Sequence, residues 1–131
     1  MTKERLKNYL WIKKNIKNLM ETLEEIESQG QIKSPTISDQ PKTTIREFDK
    51  IGNVVARKSE IEETLKEKIL EGQDVLKEIE ECIETLPENE RCLMRLRYIK
   101  GVKWEKICVE MNYSWSYLHS LHNKILFKIA D

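Results

Sequence analysis

Turn-forming residues are scarce in this chain, with four glycines and three prolines among 131 residues. A many-stranded β fold needs frequent turns punctuated by such residues, so their shortage predicts an all-α chain. Cysteine is also scarce. The three thiols, Cys82, Cys92 and Cys108, are odd in number, which excludes a framework pairing all of them and points to a reducing, cytoplasmic setting. No apolar run approaches the length of a membrane span, so no membrane association is expected. The opening MTKERLKNYLWIKK is charged throughout and lacks the apolar core of a signal peptide. A glycine-rich phosphate loop, a placeable nucleophile–base pair and a convergent pair of carboxylates are all missing, so neither an enzyme nor a cofactor is expected. His119 and His122 stand three apart, a spacing that can share a metal, but two ligands fall short of a zinc site.

Charge, by contrast, is plentiful. Charged residues make up 35% of the chain and hydrophobic ones 39%, a balance suited to long exposed helices rather than one large core. The formal net charge is zero but unevenly placed. Residues 87–131 hold eight Lys or Arg against five Asp or Glu, a net +3, and residues 28–86 hold nine against thirteen, a net −4. The basic excess therefore falls on the carboxy-terminal third, the right sign for a nucleic-acid-facing module.

Residues 2–27 read as one helix. Tyr9, Ile12, Ile16, Leu19, Leu23 and Ile26 alternate three and four apart as a heptad seam, which Leu6, Leu10 and Met20 widen. Lys13, Lys14 and Lys17 gather early and the glutamates late, against the helix dipole, so this helix depends on packing. Residues 28–44, SQGQIKSPTISDQPKTT, read as a mobile linker. A long helix then runs over about 45–86. Ile45, Phe48, Ile51 and Val55 open it, with Gly52 as a weak point, and Ile61, Leu65, Ile69, Gly72, Leu76, Ile79, Ile83 and Leu86 continue it. The expected architecture is a long antiparallel helical hairpin, or coiled-coil rod, over 1–86, followed by a small helix-turn-helix domain over 87–131. The narrow apolar stripes call for further cover, so the rod is expected to form a homodimer.

The carboxy-terminal stretch carries the sharpest local signals. Pro87 suits a first helical position, with Glu88 and Glu90 in the first turn, and Leu86 before it marks a corner. Gly101 suits a left-handed helix end. A second helix runs over about 103–111 and buries Ile107 and Met111. Asn112 tolerates the left-handed turn, and Ser114 can cap the next helix. Leu118, Leu121, Ile125 and Ile129 make one buried face of that last helix. Two short helices, a tight turn and one seam are the layout of a DNA-reading pair.

These residues resemble the fourth conserved region of bacterial sigma factors, which reads a promoter element. The match rests on Leu86-Pro87 with Glu90-Arg91, Leu93, Leu96-Arg97-Tyr98, Gly101, Trp104 to Ile107, Ser114, Leu118, Leu121 and Ile125-Leu126. The run Tyr113 to His122 is similar to that of phage-encoded sigma-like late transcription regulators. The resemblance implies a transcriptional regulator that binds double-stranded DNA, with the first turns of the last helix in the major groove. Base contacts are then expected from Trp115, Ser116, Tyr117, His119, Ser120, His122 and Asn123. Phosphate contacts are expected from Lys103, Lys106, Lys124 and Lys128, with Arg95 and Arg97 next. Trp115 and Tyr117 can equally pack on the module's own core. Two other readings stand beside this one. Residues 115–123 hold no Arg, Lys or Glu, which suits a module that contacts RNA polymerase without reading bases. A phage packaging or assembly adaptor has the same parts.

Overall fold

The computed structural model of the chain describes residues 1–32 and 45–130. All regular structure among them is helical. Helix α1 spans Lys3–Ile32 and α2 spans Ile45–Ile83. Three shorter helices follow, α3 at Glu88–Met94, α4 at Trp104–Met111 and α5 at Trp115–Ile129. A wide π-helical turn at Arg95–Ile99 extends α3. The expected linker begins too early, because α1 continues through Ser28 to Ile32. A lone helical glycine such as Gly30 costs only about 1 kcal/mol, whereas the first residue that must stop a helix is the proline farther on. The rest of the linker, residues 33–44, and the side chains of Ile45, Phe48 and Ile51 lie outside the described residues. Helix α2 passes through Gly52 without a break.

Contacts divide the chain into two compact units. The first joins residues 1–14 to 71–131, so the start of α1 and the end of α2 belong with the three short helices. The expected boundary at Leu86 is a corner within this unit. There the backbone turns between α2 and α3, and Leu86 itself is buried. Leu6, Tyr9, Ile12, Val75, Ile79 and Ile83 supply the core from the long helices. Leu93, Met94, Tyr98, Ile107, Leu118, Leu121, Ile125 and Ile129 supply it from the short ones. Each large apolar side chain removed from water contributes on the order of 2 kcal/mol, and this shared core fixes the positions of α4 and α5.

The second unit, residues 15–70, is thinner. Among its described side chains Ile26 is the one buried apolar residue. Ile16, Leu19, Leu23, Ile61 and Leu65 are half-buried, and Met20, Val55, Ile69 and Leu70 are exposed. Lys58 reaches Glu27 at 3.4 Å.

The local chemistry of the short helices follows the sequence closely. Pro87 stands just before α3, with φ −58° and ψ 158°, one residue earlier than expected. Gly101 is left-handed at φ 71° and closes the π turn. Asn112 is left-handed at φ 57° and ends α4. The Ser114 hydroxyl accepts a hydrogen bond from the Tyr117 N–H at 3.2 Å and caps α5. Removing that acceptor by Ser114→Ala is expected to lower the unfolding free energy by about 1 kcal/mol, read from the midpoint of urea denaturation.

Candidate nucleic-acid interface

The turn between α4 and α5 positions the candidate residues. Left-handed Asn112 reverses the chain, Ser114 starts α5, and the seam Leu118, Leu121, Ile125 and Ile129 turns one face of α5 inward. The opposite face carries Ser116, Ser120, Asn123 and Phe127, spaced four, three and four, and all are exposed. Tyr117 and Lys124 flank it on one side and are also exposed. Lys103 and Lys106, at the start of α4, are exposed too. The structure thus brings Ser116, Ser120 and Asn123 onto one surface strip. Phe127, 85% exposed, extends that strip and went unnoticed in the sequence, where it reads as part of an apolar run.

The expected reading positions on the other flank are built differently. His122 is 3% exposed, so it is not available to a groove. Its Nε2 is hydrogen-bonded to the Tyr98 hydroxyl at 2.6 Å, and the two rings stack with centroids 5.7 Å apart. His119 is half-buried and lies between two indoles, 4.7 Å from Trp104 and 4.3 Å from Trp115, with its Nε2 shut away from solvent. Trp115 therefore packs on His119 with one part of its ring and leaves 51% of its surface exposed. Tyr117, equally exposed, meets Tyr113 edge to face at 4.9 Å.

Trp104 is the centre of this side. Besides the two histidines, the Arg97 guanidinium lies 4.7 Å over its ring. The sequence offered Trp104 only as part of a family resemblance, with no role. Arg97 also donates to the Val102 carbonyl at 3.1 Å. Arg95 is committed to Glu80 through two hydrogen bonds of 2.7 and 2.6 Å. Lys128 is committed as well, its ammonium 3.1 Å from both oxygens of the buried Glu90 carboxylate. Lys13 donates to the Ile99 carbonyl at 2.8 Å, and Lys14 lies over Trp11. Among the described residues of α4 and α5 and the residue before α4, the exposed lysines outside these pairs are Lys103, Lys106 and Lys124, the last flanking the strip on α5 itself.

Scans against protein-family models, curated proteins and solved structures return no match. The site's own electrostatics remain. Burial pushes the His122 pKa down to about 4, helped by the positive charges of Lys3, His119, Arg97 and Lys7. Near neutral pH the ring is therefore an uncharged core group. Burial also pushes the Tyr98 hydroxyl up to about 12, against a smaller opposing effect of Arg97, so the phenol keeps its proton. No group of three or more metal-ligating side chains occurs among the described residues. No helix there is long and apolar enough to cross a membrane.

Proposed function

We propose that this chain is a DNA-binding transcriptional regulator of the phage or prophage late-gene type, with α4 and α5 as its helix-turn-helix. The observation that carries this reading is the exposed strip Ser116, Ser120, Asn123 and Phe127 on α5, opposite the buried seam, with Lys124 at its flank and Lys103 and Lys106 exposed at the start of α4. Asparagine can bond adenine through paired hydrogen bonds, serine serves several bases, and a phenyl ring suits a thymine methyl. The lysines supply sequence-independent attraction to phosphate. Two weak half-sites bound together become useful through effective concentration, which is the role we assign to a dimeric, antiparallel helical rod. The pairs Arg5–Glu78 and Glu27–Lys58 support the rod, each within its own unit. The exposed Met20, Val55, Ile69 and Leu70 support a second copy as its cover.

The test is a duplex titration of the full chain by fluorescence anisotropy, using promoter-region DNA and a scrambled control over a salt series. Lys103→Gln with Lys106→Gln is expected to weaken binding to both duplexes alike and to lower the salt slope by about 2. Asn123→Ala is expected to cost about 1–3 kcal/mol on the specific duplex only. Absence of salt-sensitive binding to either duplex would sink the reading. The half-exposed rings of Trp115 and Tyr117, together with Phe127, favour a second reading in that case, a module that docks on RNA polymerase without reading bases.

A further inference from the structure

A partly enclosed pocket of about 210 Å³ opens between the first turns of α1 and the π turn, lined by Lys3, Lys7, Leu10, Arg97, Tyr98 and Trp104. All six residues belong to the first compact unit. Three of the six are cationic and none is a carboxylate. That composition is unusual for this chain, where Arg5, Arg91, Arg95 and Lys128 each pair with a glutamate. Lys3 and Lys7 lie one helical turn apart on α1, which puts both ammonium groups on one side of that helix. Arg97 approaches from the π turn, its plane held against Trp104 and one N–H tied to the Val102 carbonyl.

Three like charges around one cavity repel one another, and an anion between them adds an attraction to each that offsets this repulsion. Arginine presents a rigid fork suited to an oxyanion, and lysines add point charges that adapt to it. The guanidinium is positioned before any ligand arrives, so less ordering remains to be done on binding. The aromatic walls do not offer a base-stacking platform. Arg97 covers one side of Trp104, His119 and His122 pack against the ring elsewhere, and Tyr98 is buried. The volume is several times the share of about 30 Å³ that one water occupies in the liquid, which is room for a tetrahedral oxyanion with its remaining waters.

We propose that this pocket is a phosphate-binding site, with Lys3, Lys7 and Arg97 holding the oxygens. The assignment stands apart from the reading of α5 as a DNA-reading helix, because none of the three belongs to that helix. A free phosphate ester and a phosphate of a nucleic-acid backbone share the required chemistry.

Trp104 is the natural reporter. Trp11→Phe with Trp115→Phe leaves it as the sole indole of the three in the chain, and both replaced rings are more than half exposed. Inorganic phosphate is titrated into this full-length variant at constant pH and ionic strength, with chloride as the balancing anion. A saturable change in Trp104 emission is expected, with Kd below about 1 mM. Lys3→Gln with Lys7→Gln, added to the same background, is expected to weaken binding at least tenfold while leaving the far-ultraviolet circular dichroism unchanged, since both side chains are exposed. A linear response, or equal affinity in the lysine variant, overturns the site. Duplex binding by Lys3→Gln with Lys7→Gln in the otherwise natural chain, which keeps Trp115, then separates the two sources. An unchanged duplex affinity assigns the pocket to a free phosphate ester, and a loss that inorganic phosphate mimics by competition assigns it to the backbone.

Discussion

Between pH 7 and pH 4 the protein is expected to lose about 3 kcal/mol of stability through one side chain, His122. Its pKa falls from an ordinary 6.5 to about 4 on folding, chiefly by burial. The groups that face it are Tyr98, hydrogen-bonded to its Nε2, and the charges of Lys3, His119, Arg97 and Lys7. The unfolded chain binds the proton first, at about pH 6.5, while the folded one refuses it until about pH 4. Stability is therefore complete above the higher value and drains away as pH falls through the interval to the lower one. Protonation of the folded ring would put a charge in a buried position already near Lys3, Arg97 and Lys7. The check is urea unfolding at half-unit steps from pH 7.5 to 4, for the natural chain and for Tyr98→Phe with His122→Phe. The double change removes both polar ends of the bond, so no orphaned hydroxyl is left behind. Its stability profile is expected to be flatter by about 3 kcal/mol over the same range. Parallel profiles would show that the ring is not shielded.

Lys128→Met is expected to destabilise the fold by about 2 kcal/mol at neutral pH. Glu90 is 3% exposed, and both its carboxylate oxygens receive the Lys128 ammonium. Breaking a fully buried pair typically costs about 3–5 kcal/mol, because the remaining charge is stranded. Two features reduce the figure here. The Lys128 side chain is 40% exposed, so water screens the interaction. Glu90 also lies in the first turn of α3, where the helix dipole favours a negative charge. Adding Glu90→Leu to Lys128→Met is expected to restore most of the loss, since an apolar pair of similar volume leaves nothing unsatisfied. The four unfolding free energies of that cycle, measured at one pH and salt concentration, decide it. A double variant weaker than Lys128→Met alone would show that packing, not charge, is at stake.

Several parts of this fold were legible in the chain because their causes are local. Gly101 and Asn112 announce left-handed backbone, Ser114 announces a cap, and the seam from Leu118 to Ile129 announces a buried face. Each depends on a residue and its near neighbours. What was not legible depends on partners far along the chain. His122 looks like a surface reader by its polarity. Yet Leu118, His122, Ile125 and Ile129 are spaced four, three and four, which already placed it at the edge of the seam. Its partner Tyr98 lies twenty-four residues away. The pairing of Lys128 with Glu90, thirty-eight residues away, was likewise not legible. The π turn ends on a wide bond, Lys100 N–H to the Arg95 carbonyl at 2.9 Å, and no residue type signals it. Of the candidate strip, Ser116, Ser120 and Asn123 are legible because they fall outside the apolar seam of α5. Phe127 is not legible in this way, because an exposed phenyl runs against the tendency of apolar residues to face inward.

The composition of the first unit has a consequence for the order of events during synthesis. Its members are residues 1–14 and 71–131, with residues 15–70 between them in the chain. At roughly 5–20 residues per second, the intervening stretch takes about 3–11 s to translate. Leu6, Tyr9 and Ile12, all buried in the finished molecule, therefore emerge several seconds before the rest of their unit's core, from Val75 onward, exists. The second unit can form its helix contacts in the meantime. Ile16, Leu19, Leu23, Ile61 and Leu65, half-buried in the second unit, are all made before Ile79 and Ile83, so the contacts of that unit are the first open to the growing chain.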